Sequence, residues 1–362
     1  MKSALHTVYA LLFLCLIGQS LTAQINKMPS YLLEKSNDME LIEHNHINCI
    51  PTVHQSASSY IVRRPYDVLS YRLFMDWRNP LSTIESQTIN RRYSGINAIH
   101  IRIDTVSLRS LRLDAVNITI DSVIIAGTTT KAEAKEMEWS VDLGKTYLSK
   151  DTLTLFVHYT YVGEENRGFH AYSKGAASGI TDKNSKPLVN PEGIIYTMNQ
   201  PNNARYWMPC NDAPYDKARA SITVRVPRTD GEKTPFSVSS NGLLQSITEG
   251  TDTQTGKRYA DYQWLDTTLI PTYLMVANAS RFTMFRQWYK KVTSPNDSIP
   301  IDNYVWEIDM KADTEDNAEM NALQTLGDAP GMIAAYSRLF GEYPFVKYGH
   351  TVRSEEHTSE LQ

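Results

Sequence analysis

In the stretch YDVLSYRLFMDW, Tyr66 to Trp77, the residues Leu69, Tyr71, Leu73, Met75 and Trp77 fall at every second position, with Ser70, Arg72 and Asp76 among those between. A period of two over so many residues marks a strand with one face in a core and the other toward water. The same alternation returns at Ile99, Ile101 and Ile103, and at Val116, Ile118 and Ile120. Leu153, Leu155, Val157, Tyr159 and Tyr161 share a face in TLTLFVHYTYVG, and Ile222, Val224 and Val226 do so in ASITVRVP. Turn-forming clusters such as NRRYSG and GEENRG separate the runs. Strand after strand without a helical pattern between them predicts a mostly β fold, an antiparallel sandwich or saddle-like sheet, over residues 63–284.

Downstream the pattern changes. IPIDNYVWEIDM reads as one more strand, and the following segment turns helical, with Asp313, Glu315 and Asp316 crowded at its start where they suit the positive end of a helix dipole. Met332, Ala335, Tyr336 and Leu339 recur at helical spacing up to Gly341, which predicts an amphipathic helix. Residues 285–352 therefore read as the start of a second, α-containing domain, too short to close a core of its own.

Upstream, MKSALHTVYALLFLCLIGQSLTAQ has a positive start at Lys2, an apolar run from Tyr9 to Ile17 and a small-residue exit at Ala23. This is the layout of a secretory signal peptide over residues 1–23, and the apolar run is too short to span a bilayer. An exported protein without a membrane span is expected, placed in the periplasm, on the cell surface or outside the cell. Residues 24–62 read as a polar linker. Its His44, His46, Cys49 and His54 lie close together, but no second donor cluster completes the four ligands of a structural zinc site. Cys49 and Cys210 remain after the leader. Export would permit a bridge between them, and two unpaired thiols fit equally well. Lys and Arg number 36 against 40 Asp and Glu, a net charge of -4 with no basic stripe, so nucleic acid is not an expected partner.

The densest signal is YTMNQPNNARYWMPCNDAPYDKARASITVRVP, Tyr196 to Pro227. A strand runs into a Pro-Asn-Asn turn, then Arg205 and two aromatics, then a second turn carrying Asp212 and Pro214. Arg205 and Asp212 are placed to form a structural ion pair across the loop. Cys210 has no identifiable base and reads as a small buried hydrophobe. Arg205, Cys210 and Asp212 sit where the aminopeptidase N family of zinc metallopeptidases has Ala-Arg, Pro-Cys and Asp-x-Pro, and the stretch resembles the N-terminal domain of that family. YDVLSYRLFMDW, LRLDAVNITIDSVIIAG, SSNGLL, TLIPTYLMVANASRF and YSRLFGEYPFVKYG resemble further segments of it in the same order, over roughly residues 60–350.

The resemblance implies a saddle-shaped β domain followed by the truncated start of an α+β, thermolysin-like catalytic domain. It also implies an enzyme that removes N-terminal residues from peptide substrates with a zinc-bound water and a glutamate base. The family's His-Glu-x-x-His helix and Met-Glu-Asn loop do not occur here. The chain therefore contains no catalytic or metal-ligating residue of the family, and zinc belongs to a full-length parent rather than to this fragment, which is expected to be inactive alone. One site residue carries over: Gln200 matches the family's contact to the substrate terminus, where an amide can accept from an ammonium group. Two positions earlier the family often has another Gln, and this chain has Met198. A non-catalytic β-rich binding or adhesion module, using Tyr206 and Trp207 as exposed aromatics, is the competing reading, with a degenerate family member kept for protein binding as a third. The closing RSEEHTSELQ, residues 353–362, matches nothing in the family. Its back-translation AGA TCG GAA GAG CAC ACG TCT GAA CTC CAG resembles a sequencing-library adapter, so His357 and its neighbouring glutamates are excluded as ligands.

Overall fold

The computed structural model describes residues 63–86, 88–181, 187–311 and 321–353. The leader, the polar linker with its histidines and Cys49, the acidic run Asp313–Asp316, and His357 lie outside the described residues. Residues 64–353 fall within one compact unit.

An eight-stranded sheet forms its frame. In order across the sheet the strands are Leu243–Thr251, Arg258–Pro271, Lys217–Pro227, Tyr66–Asp76, Tyr93–Ile103, Thr152–Tyr161, Ile118–Ile125 and Thr128–Thr130. Neighbours pair antiparallel except at the centre, where Tyr66–Asp76 runs parallel to Lys217–Pro227. A parallel pair needs a crossover connection, and here the intervening chain supplies the strands from Tyr93–Ile103 to Thr128–Thr130 of this sheet together with Ser107–Asp114, Ala132–Lys135, Glu138–Leu148, Phe169–Tyr172 and Ile194–Thr197.

The alternation in Thr152–Tyr161 is kept at every position, each of its five odd-numbered residues being buried. The strand Tyr66–Asp76 departs from expectation at one point. Its pairing shifts register between Val68 and Ser70, so that Val68 faces Ile101 and Ser70 faces His100. Leu69 is the extra residue of a β-bulge and is only half-buried, while Val68 and Ser70 are buried. A bulge places two residues opposite one and flips the phase. The odd-numbered phase read from the sequence therefore holds only from Tyr71 onward, and Phe74 on the opposite face is buried as well.

Four smaller sheets accompany this frame, one of them the two-stranded pair of Ala177–Thr181 with Pro187–Val189. Ser237–Ser240, Ala277–Ser280, Ile194–Thr197 and Phe169–Tyr172 make a four-stranded sheet, and Ser107–Asp114, Glu138–Leu148 and Ala132–Lys135 a three-stranded one. The main core lies between these layers. Its aromatic centre brings Trp77 within 5.5 Å of Phe169, Tyr161 within 4.9 Å of Phe169, and Tyr93 over Tyr161 at 5.0 Å. Edge-on and offset rings of this kind add to the burial term.

Thr283–Lys290, Ser298–Val305 and Tyr348–Thr351 form the last sheet, and the helix Ala329–Phe340 packs on it. Tyr289, Ile299, Ile301, Ala329 and Ile333 make a second, small core there. The helix ends where the sequence predicts, with Gly341 at φ 99° and its N–H on the Ser337 carbonyl. Its orientation is the reverse of the expectation. Met332, Tyr336 and Leu339 are 57%, 66% and 75% exposed, and the buried residues are Ala329, Ile333 and Ser337. The helix has apolar residues on two sides, and the narrow side is the one that fits against Tyr289 and Ile301. Apolarity alone could not choose between them. Leu339→Gln is accordingly expected to change stability by less than about 0.5 kcal/mol. Ile333→Ala is expected to lose about 2 kcal/mol in urea unfolding.

Candidate substrate-binding edge

Ile194–Thr197 is buried at all four positions at the centre of its sheet, between Phe169–Tyr172 and Ala277–Ser280. Past Thr197 the alternation continues without a partner strand. Met198 points out at 37% exposure, Asn199 points in at 2%, and Gln200 is exposed again. The peptide before Pro201 is cis. Asn203 closes the turn through its N–H on the Asn199 carbonyl at 2.7 Å and its side-chain amide on the Gln200 carbonyl at 2.8 Å. The Gln200 carbonyl therefore serves the turn. Its side-chain amide has no hydrogen-bond partner among the described residues.

Asn199 fixes this edge from below. Its oxygen accepts from Trp207 Nε1 at 2.7 Å, and its amide nitrogen donates to the carbonyl of Thr272 at 3.2 Å and to that of Met275. Nothing in the sequence marks Asn199, because an Asn beside a Pro-Asn-Asn turn is an ordinary turn residue. Tyr206 and Trp207 are both buried. They hold the loop from inside, and the observation offered for an exposed aromatic platform is absent.

Arg205 and Asp212 meet as an ion pair, Arg205 Nε lying 3.0 Å from Asp212 Oδ2, with the Arg205 backbone N–H on the same oxygen at 3.3 Å. Asp114 joins them: Arg205 Nη1 is 3.6 Å from Asp114 Oδ1, and the Asp212 N–H donates to Asp114 Oδ2 at 2.9 Å. Arg64 then bridges Asp114 at 3.0 Å and Glu138 at 2.7 Å. Thr272 Oγ1 donates to Asp212 Oδ1 at 2.9 Å, which returns the network to the carbonyl that Asn199 holds. Burial pushes the Asp212 carboxyl above its ordinary range, with the bonds from Arg205 and Thr272 opposing. Cys210 is a buried free thiol, pushed well up by burial and then by the charges of Asp212 and Asp114, so it is no thiolate nucleophile.

Asp216 is a buried carboxylate of the same loop, accepting from Val68 N at 3.2 Å and from Asn211 Nδ2 at 2.5 Å. Burial pushes it from 3.8 up to about 6, against those two bonds and together with Asp67. The folded chain then holds this proton more tightly than the unfolded chain does. Stability from this group is present below pH 4 and is lost as pH rises through about 6. Across that window Asp216→Asn is expected to remove a fall of roughly 2–3 kcal/mol, read from urea unfolding at pH 4 to 7.

No three His, Cys, Asp or Glu among the described residues are grouped to hold a metal ion. The described residues therefore do not assemble a zinc centre of the kind the resemblance implies. The family profile for the peptidase M1 N-terminal domain matches residues 68–274, more than half of the chain. The chain belongs to the M1 peptidase family. An M1 zinc metallopeptidase from Deinococcus radiodurans superposes with a TM-score of 0.57 at 19% identity, over 80% of this chain and 57% of that one. A mutant of that enzyme bound to a Tyr-Ser-Ala substrate gives 0.57 at 20% identity with the same coverage. Legionella pneumophila aminopeptidase A in complex with aspartic acid gives 0.58 at 15% identity, over 80% of this chain and 29% of that one. The chain thus spans just over half the length of the Deinococcus protein. A comparison with curated protein sequences gave no match. Among the described residues no helix is long and apolar enough to cross a membrane.

Proposed function

We propose that this M1 family chain is the front portion of an exported, zinc-dependent aminopeptidase, supplying the β domain that receives the N-terminus of a peptide. Gln200 is the observation that carries the reading. It stands at the end of a buried strand, its backbone fixed by Asn203, with the neighbouring Asn199 locked into the core and its own amide unengaged. An amide oxygen in that state can accept from an α-ammonium group without first giving up a protein partner. Met198 beside it offers a soft apolar surface to the first side chain. The structural neighbours with a Tyr-Ser-Ala substrate or aspartic acid bound support the same substrate class. Zinc would be held by residues of the longer enzyme, since those described here do not group around a metal. The leader Met1–Ala23 supports export.

The chain alone, supplied with zinc, is expected not to hydrolyse aminoacyl-arylamides. A reading frame that continues past Val352 through Met-Glu-Asn and His-Glu-x-x-His would support the proposal. A natural stop codon soon after Val352 would overturn it. In the longer enzyme Gln200→Ala is expected to lower kcat/KM by about tenfold, the size of one lost hydrogen bond to a charged group.

A further inference from the structure

Where the end of the strand Ser237–Ser240 and the turn Asn241–Gly242 after it meet the segment Tyr343–Thr351, the surface opens into a cavity of 310 Å³. Ile270, Leu274, Val276 and Phe345 give it an apolar lining, and Lys347 and Asp266 reach it as well. Lys347 Nζ donates to the Ser240 carbonyl at 2.6 Å and lies 4.1 Å from the centre of the Trp264 ring. An ammonium has three donors, and no carboxylate among the described residues comes within 4.0 Å of this one. Burial pulls Lys347 down to about 8, with the charges of Asp302 and Asp266 resisting. Asp302 is already engaged by Arg286, at 2.6 and 3.0 Å. Asp266 is buried, accepts from Thr268 N at 2.9 Å, and has no cation within 4.0 Å among the described residues.

The cavity thus holds one under-engaged cation, one carboxylate without a counter-ion, and an apolar wall. We infer that it binds a free α-amino acid with an apolar side chain, the carboxylate on Lys347, the ammonium on Asp266 and the side chain along the wall. A fatty acid would leave Asp266 uncompensated, and a simple amine would leave Lys347 so. A zwitterion gives each of the two groups a charged partner, which neither singly charged ligand does. The volume is at the low end for small-molecule pockets, which begin near 300 Å³, and suits one residue rather than a peptide. The inference does not rest on the peptidase reading, although free amino acids are what such an enzyme releases.

Calorimetric titration of the full chain with L-leucine tests it. Saturable binding is expected, weakened at least about tenfold for N-acetyl-L-leucine, which lacks the ammonium, and for L-leucinamide, which lacks the carboxylate. Lys347→Met and Asp266→Asn should each abolish it, whereas Gln200→Ala should bind leucine as the parent chain does, separating this cavity from the substrate edge. Should a variant fail to fold, the two blocked analogues decide the matter on the unaltered chain. No saturation up to about 10 mM, equal binding of the blocked analogues, or loss of binding in Gln200→Ala would overturn it.

Discussion

Trp207→Ala is expected to lower the unfolding free energy by about 4–5 kcal/mol, a large share of what one domain possesses. Trp207 is fully buried, its backbone carbonyl accepts from the Tyr93 hydroxyl at 2.7 Å, and its indole N–H donates to Asn199 at 2.7 Å. Truncation removes the indole from the core, leaves a cavity among β layers that cannot collapse readily, and strands the Asn199 oxygen without a donor. Trp207→Phe separates these effects. It keeps most of the volume and loses the N–H, so it is expected to cost only about 1–3 kcal/mol. Urea unfolding followed by fluorescence gives both values. Amide exchange should also quicken at residues 198–203 in both variants, because Asn199 anchors that turn. A Trp207→Ala loss below about 1.5 kcal/mol would mean that the loop is not held from inside as described.

The strands were legible because half-buried sheets impose a period of two, and Thr152–Tyr161 shows it without interruption. Two features escaped that logic for identifiable reasons. The bulge at Leu69 is a matter of pairing with Tyr93–Ile103, and one strand's sequence does not carry its partner's register. The helix Ala329–Phe340 carries apolar residues on both sides, and its buried side is chosen by the small core of Tyr289, Ile299 and Ile301 that it meets. At the candidate site, Arg205 and Asp212 lie seven residues apart in one loop and could be paired by inspection. Asp114 and Arg64 join them from 98 and 50 residues away from their partners, distances at which only the folded sheet brings charges together. Asn199 was hidden in another way, since its amide is satisfied by backbone carbonyls at Thr272 and Met275 that no side-chain motif announces.

Arg205→Ala is expected to cost about 3–5 kcal/mol at pH 7, the range for stripping one partner from a buried ion pair. The Asp212 side chain is 1% exposed and that of Arg205 15%, so solvent screens the pair little. Arg64 stays with Asp114 and Thr272 stays with Asp212, which places the loss toward the lower figure. Arg205→Lys should recover only a minor part. One ammonium cannot reproduce contacts that Arg205 makes with Nε on the Asp212 carboxylate, Nη2 on its carbonyl at 3.3 Å, and Nη1 toward Asp114. The pH dependence identifies the cause. Without the guanidinium, burial would push the Asp212 carboxyl further above its already raised position. A carboxyl raised in the folded state makes folding weaker as pH increases, so the variant's deficit should shrink as pH is lowered from 7 to 5. Asp212→Asn on top of Arg205→Ala should likewise return part of the loss, because no buried charge is then left unpaired. If the Arg205→Ala deficit were the same at pH 5 and pH 7, and the second substitution returned nothing, the loop would be held by packing around Tyr206 and Trp207 instead of by the ion pair.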